Sequence, residues 1–165
     1  MPRVLVVYDT LFGFTEKIAK RLTEELGADA ERIIEKKDKS GLLGALRPGK
    51  QLFVGRMVEL APTEKDPAAY DLVVIVSPVM FNTMPLPVRA YITKFKDKFK
   101  SVAVLVTGGV STSNTIKDIS YLCGKQPVAK MGITHPSYYS GLYKKKYQDF
   151  LRQIRESLGA QPPRQ

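Results

Sequence analysis

Five short runs rich in β-branched residues recur along the chain with helix-period segments between them, and this alternation constrains the fold more than any other feature. The runs are Val4 to Tyr8, Glu31 to Glu35, Leu72 to Ser77, Val102 to Thr107 and Val128 to Ile133. Strands that alternate with helices build βαβ units, and βαβ units set neighbouring strands parallel. The first, third and fourth runs are apolar almost without a break, as strands covered on both faces must be. The second and fifth carry charges, as sheet edges do. The expected fold is α/β: a doubly wound, open, five-stranded parallel sheet of order 2-1-3-4-5.

The intervening segments carry the matching helical period. Ile18, Ala19, Leu22 and Leu26 form one apolar stripe after Gly13, and Leu26-Gly27 ends it. Val88, Ile92, Phe95 and Phe99 repeat the pattern after Pro85 and Pro87. Ile116, Ile119 and Cys123 repeat it after Asn114, and Tyr147, Phe150, Leu151, Ile154 and Leu158 repeat it near the C-terminus. Residues 36–67 fit least well; a short helical pattern from Leu42 to Leu46 and a break at Pro48-Gly49 read as an elaborated second crossover. A chain of 165 residues is long enough for one substantial core and short for two domains. Residues 1–158 are therefore expected to form a single domain, followed by a flexible tail, 159–165, that contains Pro162-Pro163.

Composition narrows the chemistry. Hydrophobic residues at 44% and charged residues at 25% are the balance of a globular protein, not of a disordered one. No apolar run approaches the roughly 20 residues of a membrane helix, and Met1-Pro2-Arg3 leads straight into the first strand without a signal-peptide pattern, so a cytoplasmic location is expected. The single cysteine, Cys123, excludes an internal disulfide and leaves too few thiolates for an iron–sulfur cluster. It lies on the apolar stripe of its helix, where a packed thiol is expected. His135 is the one histidine; its Thr134-His135-Pro136 loop has no ligand cluster beside it, so neither a metal site nor a catalytic side chain is assigned. Tyr138, Tyr139 and Tyr143 form a loop cluster that can edge a substrate pocket, and capping the end of the sheet is the role expected first. Redox chemistry in such a chain must come from a bound cofactor.

The net charge of +10 calls for an acidic partner protein or an anionic membrane surface. Lys94, Lys96, Lys98 and Lys100 lie at the end of the helix after strand three, where they answer the helix dipole. Lys144, Lys145 and Lys146 open the last helix and oppose it. No recognised nucleic-acid module accompanies the charge, and nucleic acid is not an expected partner.

Strand one runs directly into Thr10-Leu11-Phe12-Gly13-Phe14-Thr15 and then a helix. Orphan backbone N–H groups and the helix dipole then converge beyond the strand's carboxyl end, which favours a phosphate by about 1 to 2 kcal/mol. The Thr10 and Thr15 hydroxyls can add hydrogen bonds. In a sheet of order 2-1-3-4-5 the ligand crevice opens between strands one and three. The loop Ser77-Pro78-Val79-Met80-Phe81-Asn82 flanks it; Met80 and Phe81 supply a polarizable apolar surface for a flat ring, and Asn82 tolerates positive φ. Thr107-Gly108-Gly109, at the end of strand four, lets the backbone approach closely and present N–H groups.

These residues carry a family resemblance. Tyr8-x-Thr10-x-x-Gly13-x-Thr15-x-x-x-Ala19-x-x-Leu22 resembles the flavodoxin signature, in which such a loop wraps the phosphate of flavin mononucleotide (FMN). The resemblance extends through Tyr70-Asp71-Leu72-Val73-Val74-Ile75-Val76-Ser77-Pro78, through Met84-Pro85-x-Pro87-Val88-x-x-Tyr91-Ile92, and through Val104-Leu105-Val106-Thr107-Gly108-Gly109. It implies an FMN-binding electron-transfer protein, with the three loops as the cofactor site. Flavodoxins usually carry Asn where Phe14 stands and a hydroxyl residue where Phe12 stands, so two side-chain donors are missing while the backbone cradle remains. Phe81 is the single aromatic of the third-strand loop and the fourth-strand loop has none, so one ring face is expected to be covered less. Related flavin enzymes give the alternative of an FMN-dependent oxidoreductase acting on a quinone or a porphyrinogen. A phospho-receiver domain would need an acidic pair after strand one and an Asp ending strand three, where Asp9-Thr10 and Ser77-Pro78 stand instead.

Overall fold

The computed structural model describes residues 1–36 and 58–159. Most of the expected second crossover, with its Leu42–Leu46 pattern, and the tail beyond Gly159 lie outside these residues. Among the described residues there are five strands: β1 (Val4–Tyr8), β2 (Asp29–Arg32), β3 (Leu72–Pro78), β4 (Val102–Gly108) and β5 (Ala129–Thr134). They form one parallel sheet of order β2-β1-β3-β4-β5, the order expected from the apolar and charged runs.

Every residue of β1, β3 and β4 is buried, because helices cover both of their faces. Register aligns Val6, Val74, Ala103 and Ala129 in one row across the sheet. That row faces α1 (Phe14–Leu26) and α5 (Tyr143–Ser157), which contribute Ile18, Leu22, Phe150, Leu151 and Ile154 to the same core. The opposite pleat, with Leu5, Val7, Ile75 and Val104, packs on α2 (Leu86–Phe95) and α3 (Ser113–Cys123) through Val88, Tyr91, Ile92 and Ile119. Burying each such side chain contributes about 1.5 to 3 kcal/mol, so the period-2 strands and period-3.6 stripes dictate this three-layer arrangement together. Cys123 closes the second core; burial pushes its thiol up to about 12, which leaves it inert.

Two local expectations are corrected. The second strand runs from Asp29 to Arg32, two residues before the Glu31–Glu35 run that its β-branched residues suggested. Its partner β1 ends at Tyr8, opposite Arg32, so no parallel ladder is available further on. Ile33 still donates its N–H to the Tyr8 carbonyl at 2.7 Å and is buried, whereas Glu35 leaves the sheet to bridge Leu60 in an antiparallel sense. The expected loop at Thr134-His135-Pro136 is the start of a short helix, α4 (His135–Tyr139). Thr134 accepts from the Ser137 N–H while the Ser137 hydroxyl accepts from the Thr134 N–H, a reciprocal cap that nucleates the turn. No helix among the described residues is long and apolar enough to cross a membrane.

Candidate functional site

The carboxyl ends of β1, β3 and β4 bring together the three loops singled out in the sequence. In the first, Thr10 donates its N–H to Asp9 Oδ1 at 2.8 Å, and the Thr10 hydroxyl accepts from the Gly13 N–H at 3.0 Å. The loop is thus held by its own side chains, and the Thr10 hydroxyl keeps its proton to donate. Gly13 adopts φ 85, a left-handed conformation that a Cβ would strain, and α1 follows with no side chain capping it. Its first-turn N–H groups face outward from the end of the sheet. Glu16 places one carboxylate in that turn, but its 2.8 Å ion pair with Lys20 offsets the charge and draws its pKa down.

Thr15 is not a cap. It sits inside the first turn, buried, and its hydroxyl hydrogen-bonds that of Thr107 at 2.9 Å. This pair spans the carboxyl end of β3 and ties the first loop to the end of β4. Ser77 is likewise turned inward, donating to the Pro78 carbonyl at 2.9 Å, and Val79 donates its N–H to the Thr107 carbonyl at 2.9 Å. Thr15, Ser77 and Thr107 therefore hold the loops in position from within. Gly108 serves the same end: a Cβ there would stand 3.0 Å from Val79 Cγ2 and from the Ser111 carbonyl oxygen. At Gly109 a Cβ would meet nothing within 4 Å, so this is the glycine that leaves the backbone open.

The outward side of the same loops is apolar. Phe12 is 96% exposed, Phe81 77% and Val110 90%. Among the described residues every large exposed hydrophobic side chain except Met1 and Tyr121 lies on a segment leaving the carboxyl end of a strand. Such concentration on one edge marks a binding surface, since singly scattered apolar residues are the ordinary condition. Met80 and Thr83 exchange both backbone hydrogen bonds around Phe81 and Asn82, whose φ values are 48 and 63. Both central residues of this two-residue turn are left-handed, the type I′ pattern, and for a bulky Phe that conformation is strained. Asn82 was expected at positive φ; Phe81 was not.

Phe14 points away from the open side. Its ring packs edge-on against His135, with centroids 4.7 Å apart, and against Tyr138 at 5.0 Å. His135 thus lies against the start of α1, with Lys17 5.5 Å from the Tyr138 ring centroid. Nothing in the linear order of residues signals that contact.

A second feature was missed for a different reason. Asp9 is buried, and burial raises its pKa above the ordinary carboxylate value, with the Thr10 N–H pulling the other way. It borders a cavity of about 480 Å³, lined with it by Leu11, Ile33, Met80, Pro85 and Leu86 among others. Its sequence signal is an acid that directly continues an apolar strand.

The comparisons bear on this geometry. No family model matches the chain, and no curated protein matches it in sequence. Solved structures do match. A candidate flavoprotein from Bacteroides eggerthii shares 19% identity over 82% of this chain and 89% of its own, with a TM-score of 0.65. The Lactobacillus acidophilus flavoprotein in complex with FMN shares 17% over 80% of this chain and 93% of its own, with a TM-score of 0.61. The two-electron reduced flavodoxin of Megasphaera elsdenii shares 13% over 78% of this chain and 84% of its own, with a TM-score of 0.53. The chain has the flavodoxin fold. In this flavodoxin-like chain the carboxyl edge of the sheet, where the three loops meet, is the candidate cofactor site.

Proposed function

We propose that this flavodoxin-like chain binds FMN at the carboxyl edge of its sheet and exchanges electrons through it with an acidic partner protein. The observation that supports the reading most is the pairing of two features on one edge: an uncapped α1 N-terminus behind a self-braced loop, and an apolar rim of Phe12, Phe81 and Val110. The first suits a terminal phosphate and the second a flat apolar ring, and FMN carries both. The fold likeness to a flavoprotein in complex with FMN agrees with this assignment. The backbone N–H groups at the start of α1 and the Thr10 hydroxyl would hold the phosphate, and the Gly109 backbone would face the ring system. When bound, the flavin supplies one-electron and two-electron chemistry; the chain's own residues bind, orient and shield it.

Titrating FMN and riboflavin separately into flavin-free protein tests this reading. FMN is expected to bind at least about tenfold more tightly, because a charge-assisted phosphate contact is worth about 1.5 to 3 kcal/mol. Thr10→Ala should shrink that preference. Equal affinities for the two flavins would overturn the phosphate-loop assignment.

The cavity beside Asp9 favours a second reading, an FMN-dependent oxidoreductase acting on a lipophilic molecule such as a quinone or a porphyrinogen. Its lining is mainly apolar, and a buried carboxyl of raised pKa is a group that can hold a proton for delivery to a substrate oxygen. Under this reading Asp9→Asn lowers quinone turnover without changing flavin affinity. Unchanged turnover would leave Asp9 with no part in the chemistry.

A further inference from the structure

On the outer edge of the sheet, away from α1, a cavity of about 530 Å³ opens between α3, β5 and α5. Each of the three elements sends one lysine to it: Lys117 from α3, Lys130 from β5 and Lys146 from α5. None of these three ammonium groups takes part in an ion pair among the described residues. The one carboxylate at the cavity, Asp149, is bonded to Arg152 at 3.2 Å. Three exposed like charges around one concavity repel one another, and among the described residues no carboxylate pairs with them.

The same cavity receives the start of α3. Thr112, the residue preceding the helix, caps nothing with its side chain, and Ser113 is the first helical residue. Thr112 is 9% exposed and borders the cavity, and its hydroxyl has no hydrogen-bond partner among the described residues. Thr112 Oγ1 is not among the fully enclosed unpartnered oxygens, so it is open to the cavity and free to bond a ligand there. Gly132, opposite it on β5, keeps the space for that hydroxyl open: a Cβ at Gly132 would collide with Thr112 Oγ1. Met131, Ile116 and Phe150 add apolar wall.

We infer that this cavity is a second anion site, built for a phosphate-bearing small molecule of at least two negative charges. Three lysines supply the charge, while the α3 N-terminus and the Thr112 hydroxyl supply directed donors to phosphate oxygens. The volume lies in the range of small-molecule sites, about 300 to 1,000 Å³. The inference stands independently of the flavin reading, because it uses none of the loop residues Thr10 to Thr15.

Inorganic pyrophosphate is the probe, titrated by calorimetry into the full chain at low ionic strength. Saturable binding is expected. Lys130→Gln combined with Lys146→Gln should weaken it at least tenfold, and Thr112→Val, which keeps the shape and removes the hydroxyl, should weaken it severalfold. Lys144→Gln combined with Lys145→Gln removes the same charge from the same surface outside the cavity and should change affinity less than twofold. Thermal melts confirm that the variants are folded. Absence of saturable binding, equal losses from the two lysine pairs, or loss with Thr10→Ala while the cavity pair has no effect would each overturn the assignment. So would capture of an acidic peptide by a protein that ignores pyrophosphate.

Discussion

Asp9 sits in an environment that its type does not prefer. Its carboxyl is buried at the end of an apolar strand, and burial raises its folded pKa above the ordinary 3.8. A raised acid pKa means that ionisation is harder in the folded state, so the penalty is absent below pH 3.8, grows as pH rises through the folded value and is complete above it. Asp9→Asn keeps the acceptor for the Thr10 N–H and cannot ionise. It is therefore expected to melt at a higher temperature than the wild type at pH 7 and at the same temperature below about pH 3.5. Melting curves across this range decide the matter; a variant less stable at pH 7 would show that the charged form is well solvated. Ser77, Thr15 and Thr107 show the complementary case, polar residues at the site whose hydroxyls are spent on each other or on nearby backbone. The sequence marks them as site residues by position, but which hydroxyls face a ligand depends on pairings across three strands.

At the scale of elements, the hairpin turn after β3 is where local preference and observed conformation conflict. Type I′ turns favour Asn-Gly, and here Phe81-Asn82 takes both left-handed positions. Strain of this kind is typically about 1 to 3 kcal/mol and collects at functional segments. Phe81→Asn with Asn82→Gly is expected to raise unfolding stability by about 1 kcal/mol in urea titrations and at the same time to weaken FMN binding, because the aromatic surface goes. A double variant that binds FMN as well as the wild type would show that the ring of Phe81 contributes nothing to the site. The helices were legible from their stripes, and three of the strands from their unbroken apolar runs. The bounds of the second strand and the presence of α4 were not. An edge strand of sequence Asp29-Ala30-Glu31-Arg32 has no apolar signature of its own and is a strand because β1 offers it a ladder. A five-residue helix capped by Thr134 and Ser137 is too short to show a period.

For the whole molecule the positive charge is the dominant property, and the structure divides it. Lys144, Lys145 and Lys146 are all exposed, and of the three only Lys146 also lines the β5-edge cavity. Exposed charge acts mainly on association rate and is screened beyond about 8 Å at physiological salt. With FMN bound and reduced, oxidation by ferricyanide, an anion, is expected to slow as salt is added, and oxidation by hexaamminecobalt(III), a cation, to quicken. Lys144→Glu with Lys145→Glu should lower the ferricyanide rate at low salt and leave FMN affinity unchanged. Identical salt dependence for both oxidants would remove electrostatic steering from the account. The sequence by itself determined the sheet order, the core stripes, the inert thiol and the three loops that end in one place, because strand and helix periodicity are local properties and parallel topology has few solutions. Only the tertiary structure decided which loop side chains face inward, that His135 lies against Phe14, that Asp9 borders a cavity, and that three lysines distant in the chain share one concavity. Those are relations across strands and layers, and they exist only once the chain is folded.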